Sequence, residues 1–146
     1  MATDFEVAIF EQQLRDVSDM SEAERWVLER DESIPLEIFA TMHSVKQPEE
    51  QYKARFRWTD LFKAPSMKFI DLVSGSDTNP CAWPRYFGFR PACLDACLPW
   101  TAEGQHLHPE WAQSVNAFPK VEVPVQFALM NLQFALDTSY EGRGSP

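Results

Sequence analysis

The sequence predicts a mainly α fold: one compact domain of short helices broken by a long irregular segment, with α+β and a small minor sheet as the alternative. Three observations predict it. Apolar residues recur at helical spacing near both ends of the chain. Capping residues stand where those helices would begin. Between them, residues 79–100 set Pro80, Pro84, Pro91 and Pro99 among Trp83, Tyr86, Phe87, Phe89 and Trp100. So many prolines forbid a long helix or central strand there. The aromatics forbid a merely solvated linker, because their burial is too favourable. The segment is therefore a fixed loop packed on this protein's own core, a ligand or a partner.

From the N-terminus, Asp4 is placed to cap a first helix running to about Val17, with Val7, Phe10, Leu14 and Val17 on its apolar face. Ser21 and Glu24 form a capping-box signature for a second, through Trp26, Val27 and Leu28 to about Arg30. Ser33 and Pro35 open a third, whose buried side is Leu36, Ile38, Phe39 and Met42. Residues 50–62 read two ways. Tyr52, Ala54, Phe56 and Trp58 alternate with Lys53, Arg55 and Arg57, as in a strand, yet Pro48, Glu49 and Glu50 resemble a helix start. Helix is preferred because no partner strand is evident nearby, and residues 67–73 read as a strand or one more helical piece. If a sheet exists, residues 52–58 and 120–123 supply it.

Residues 75–123 lose charge and gain proline, leaving one short helix at about 109–115. The last helix is clearer. Gln126-Phe127-Ala128-Leu129 returns as Gln133-Phe134-Ala135-Leu136, so Pro124 starts a helix that is apolar nearly all round and buried in the core or an interface. The organisation expected is thus a single domain over 1–137 (helical 1–74, irregular 75–123, buried helix 124–137) and a flexible tail over 138–146.

Composition narrows function. A length of 146 residues suits one domain with a real core. The net charge of −9 opposes nucleic-acid binding and attraction to anionic membrane surfaces. Residues 123–136, the longest uncharged apolar stretch, are too short to span a bilayer. Asp4 and Glu6 stand where a secretory signal needs positive charge. Three cysteines and no export signal point to reduced thiols and a cytoplasmic protein. The acidic first third faces a basic stretch over 45–68, which reads as internal complementarity before it reads as a docking patch for an acidic partner.

Two readings of function follow. In the first, the chain is a non-catalytic interaction module, an accessory or regulatory subunit. It grips a protein partner, in a hetero- or homo-oligomer, through Trp83, Tyr86, Phe87, Phe89 and Trp100, the residue types that make interface hot spots. No cofactor is then needed. In the second, Cys93, Cys97, His106 and His108 hold zinc or another divalent metal, or a small ligand, with Glu110 nearby. His-x-His on an extended segment turns both imidazoles to one side, and two thiolates would complete a tetrahedral set. The spacing of Cys93 and Cys97 matches no usual zinc knuckle, and on one helical turn the pair would equally suit a disulfide or a covalent adduct. Buried free thiols are the plainer reading of all three cysteines. Glycine-rich phosphate loops and catalytic triads are not evident.

Overall fold

A computed structural model describes residues 2–146. Met1, the first residue of the domain expected over 1–137, lies outside the described residues. The chain forms helix α1 (Asp4–Ser18), a 3-10 turn (Ser21–Arg25) and strands β1 (Val27–Glu29), β2 (Glu37–Ser44), β3 (Gln47–Arg57) and β4 (Ser66–Ile70). After a 3-10 turn (Pro80–Ala82) come a two-strand hairpin, β5 (Phe89–Arg90) and β6 (Asp95–Ala96), helix α2 (Ala102–Leu107), a 3-10 turn (Pro109–Gln113) and helix α3 (Pro124–Thr138). Strands β1 to β4 make one antiparallel meander in sequence order. The mainly α expectation is therefore corrected to α+β.

The reason lies in β2 and β3. Ile38, Ala40, Met42 and Ser44 are buried while Phe39, Thr41 and His43 are half-exposed, a period of two that helical spacing had masked. Leu36 enters the strand with φ of +56°, so a helix begun at Pro35 is broken at once. In β3, Tyr52, Ala54 and Phe56 face the same core, in register with Met42, Ala40 and Ile38. The basic side chains of β3 are each paired with a carboxylate. Lys53 reaches Glu29 at 3.5 Å, Arg55 reaches Asp77 at 3.2 Å and Arg57 reaches Glu37 at 2.6 Å.

The second expected helix also dissolves. Ser21 and Glu24 make only the 3-10 turn, with no side-chain cap, before β1 begins at Val27. Helix α1 forms nearly as expected, but its cap is Thr3. The Thr3 hydroxyl accepts from Glu6 N–H at 3.1 Å, and the Glu6 carboxylate accepts in return from Thr3 N–H at 3.2 Å. That carboxylate also accepts from Leu61 N–H at 3.0 Å, and these backbone bonds hold its pKa below the usual value.

Helix α3 starts at Pro124 as expected and lies across β2 and α1. Val125, Ala128, Leu129, Leu132 and Leu136 are buried, but Phe134 is 66% exposed, so the helix has a wet side. Its far end is held by polar bonds. Gln133 accepts from the indole N–H of Trp26 at 2.8 Å, and Asp137 takes two bonds from Arg25, each 3.1 Å.

Residues 75–123 seal the β4 edge. Lys68 donates to Leu94 C=O at 2.7 Å, and Glu103 accepts from Ser66 Oγ at 2.5 Å and Met67 N–H at 3.1 Å. Helix α2, not foreseen from the sequence, is capped by Thr101, which accepts from Gly104 N–H at 3.0 Å. The tail expected to be loose is tied down. Arg85 N–H donates to Gly142 C=O at 2.7 Å, and Gly144 N–H donates to Trp83 C=O at 2.7 Å. The Arg143 guanidinium bonds Cys81 C=O at 2.8 Å and Glu50 at 2.9 Å and lies 4.3 Å from the Tyr52 ring centroid. Among the described residues no helix is long and apolar enough to cross a membrane.

Candidate functional site

The five aromatics proposed as partner contacts separate into two groups. Trp83 is wholly buried, edge-on to Phe69 of β4 at 4.9 Å between ring centroids. Phe89 packs on the same Phe69 at 5.4 Å, and Trp100 is buried as well. These three belong to the core: the inner face of the sheet at β4 needs an apolar cover, and this loop supplies it. Tyr86 is half-buried against Phe89 at 5.0 Å. Only Phe87 stands free, at 87% exposure.

Its placement follows from Gly88. With φ of +99°, this residue takes a backbone that L side chains avoid, and a Cβ there would lie 2.5 Å from the Leu98 side chain. The chain therefore turns sharply beside Leu98, with Phe87 outward and Phe89 inward. Cys97 N–H donates to Gly88 C=O at 2.7 Å. The hairpin beyond is braced by two bonds from Arg90 to Asp95, at 2.7 and 2.6 Å. Those bonds, with smaller help from the nearby Cys93 and Cys97, raise the Arg90 pKa further above its ordinary value.

The opposite wall comes from the end of α2. Gln105 donates to Pro99 C=O at 2.7 Å and Asn116 C=O at 2.9 Å, joining the two stretches. His108 ends the helix, and its ring stacks on Trp111 at 4.3 Å with 15° between planes. Glu110 lies 2.9 Å from His108 Nδ1, and this bond holds the Glu110 pKa below the usual carboxylate value. Because a carboxylate only accepts, Nδ1 carries the proton toward Glu110, which leaves Nε2 as the basic nitrogen of the neutral ring.

Between these walls lies a cleft of about 460 Å³ lined by Phe87, Leu98, Pro99 and Trp111, with Cys97, His108 and the Asp95-paired Arg90 among them. Its surface is mainly apolar with a few polar groups, the usual character of a binding cleft. Leu98 and Trp111 were not sequence candidates. Trp111 alone gave a signal, as an aromatic belonging to no predicted stripe.

The four proposed metal ligands do not converge. Cys93 is exposed at the hairpin tip, and His106 is exposed on α2. Residues 106 and 107 are helical, so His106 and His108 are not the extended His-x-His pair that would turn both rings to one side. Among the described residues no group of three or more His, Cys, Asp or Glu is placed to hold a metal ion, and the three thiols are free. No protein-family model matches this sequence, and no curated protein or solved structure matches it either.

Proposed function

We propose that the protein is a non-catalytic interaction module, an accessory or regulatory subunit, that receives a segment of a protein partner in the cleft between Phe87 and Trp111. The observation that carries this reading is Phe87. A phenylalanine 87% exposed at the mouth of an apolar cleft, on a backbone held rigidly by Gly88 and the braced hairpin, loses little freedom when a partner covers it. The occupant we favour is a basic segment with one bulky apolar anchor. Seven of the 13 Lys and Arg side chains are in ion pairs with carboxylates of the same chain. With 22 acidic residues, much negative charge stays uncompensated and attracts cations.

Selection from a random peptide display library against the full chain tests the proposal. Selected peptides should share a large apolar residue flanked by Lys or Arg, and Phe87→Asp should weaken their binding at least about tenfold. Peptides without such an anchor, or peptides that bind Phe87→Asp as well as the wild type, would overturn it.

A further inference from the structure

The same cleft holds a chemical grouping that docking does not use. Cys97 and His108 both line it, His108 is fixed by Glu110 at 2.9 Å and by Trp111 at 4.3 Å, and Arg90 of the hairpin lines it as well. A thiol sharing a cleft with an oriented imidazole and a nearby cation is the setting in which cysteine becomes nucleophilic. We infer that Cys97 is a site of covalent modification by thiol–disulfide exchange, with His108 as its base and Glu110 as the positioning residue.

The surrounding amides select this chemistry over acyl transfer. An acyl reaction develops charge on a carbonyl oxygen and needs free N–H donors near the nucleophile. Here Cys97 N–H is given to Gly88 C=O at 2.7 Å, and Leu98 N–H points to Thr101 Oγ1 at 3.5 Å. Exchange with a disulfide places the charge on the departing sulfur and needs no such donors. In the step, His108 Nε2 takes the Cys97 proton by way of water in the cleft, and the thiolate attacks one sulfur of an external disulfide R–S–S–R′. The new Cys97–S–S–R bond forms as the R–S–S–R′ bond breaks, and the leaving R′–S⁻ receives the proton from His108. One disulfide is consumed and one formed, so no separate oxidant is required. The inference shares the cleft with the docking proposal but does not depend on it.

Exposure alone predicts the opposite order of reactivity, because Cys93 is exposed at the hairpin tip whereas Cys97 is half-buried. The test treats the full chain, without any partner, with glutathione disulfide and separately with a neutral dithiodipyridine. Each cysteine is then followed by peptide-resolved mass spectrometry. Cys97 should be modified first with both reagents, and Cys93→Ser should leave its rate unchanged. His108→Asn should slow Cys97 at least about tenfold and flatten its pH profile near neutrality, where Arg90 and Glu110 keep fixed charges. Glu110→Gln, at an exposed position that the fold does not need, should slow it less and shift the same profile. Modification of Cys93 ahead of Cys97, or a Cys97 rate and pH profile unmoved by both the His108 and the Glu110 variants, would overturn the inference.

Discussion

At position 104 a hydrogen atom is the only side chain that fits. A Cβ on Gly104 would overlap the backbone of Leu98, because α2 lies directly on the bend at Leu98, which lines the cleft. In an open helix, Gly→Ala stabilises by roughly 1 kcal/mol. Here the sign should reverse: Gly104→Ala should cost about 1–3 kcal/mol in urea denaturation, the usual penalty of overpacking. The aromatics of the loop make a second contrast. Trp83→Ala empties the centre of the cluster around Phe69 and should cost about 3–5 kcal/mol. Phe87→Ala should change stability by no more than about 0.5 kcal/mol, as exposed substitutions usually do. A thermal or urea series on the two variants separates core from contact residue. The sequence shows that residues 79–100 must pack on something, but composition does not say which side of the backbone each ring takes. That is decided by the positive φ of Gly88.

Among the elements, β2 and β3 carry the clearest lesson. Each strand's pattern is helical or ambiguous when taken without its partner. Ile38, Phe39 and Met42 fit one face of a helix, and with β2 assigned so, the alternation from Tyr52 to Trp58 had no strand to pair with. Local patterns at spacings of two and of three to four overlap in short apolar runs, so only the pairing resolves them. The two terminal helices are legible because nothing competes with their apolar stripes, although the first is capped by Thr3 with Glu6 and not by Asp4, while Pro124 opens α3 as the sequence suggests. The tail was illegible for a different reason. Its order rests on Arg143 reaching Cys81, Glu50 and Tyr52, contacts about 60 to 90 residues away in sequence. Replacing Arg143 by Ala should therefore cost about 1.5–3 kcal/mol and raise amide exchange over 83–85 and 141–144. Unchanged protection there would mean that the backbone bonds hold the tail without it.

Over the whole molecule, charge links stability to pH. Burial pushes the Asp137 pKa up, but the bonds from Arg25, Val45 N–H and Gln133 outweigh it and leave the value lowered. A carboxyl lowered in the folded state stabilises above its unfolded pKa of about 3.9, and the contribution is lost as pH falls through the folded value. Asp137→Asn should thus be less stable than the wild type near neutral pH, and the gap should narrow below about pH 4 in urea midpoints taken at both pH values. The surplus of carboxylates makes the outer surface attractive to a cationic segment, and the cleft beside Phe87 offers its anchor point. Isothermal titration of a selected basic, apolar-anchored peptide into wild type and Phe87→Asp, at low and moderate salt, tests this most directly. The account predicts one site, binding that weakens with salt, and a loss of at least about tenfold in the variant. Equal affinity for both proteins would contradict it, since the segment would then be held away from the cleft.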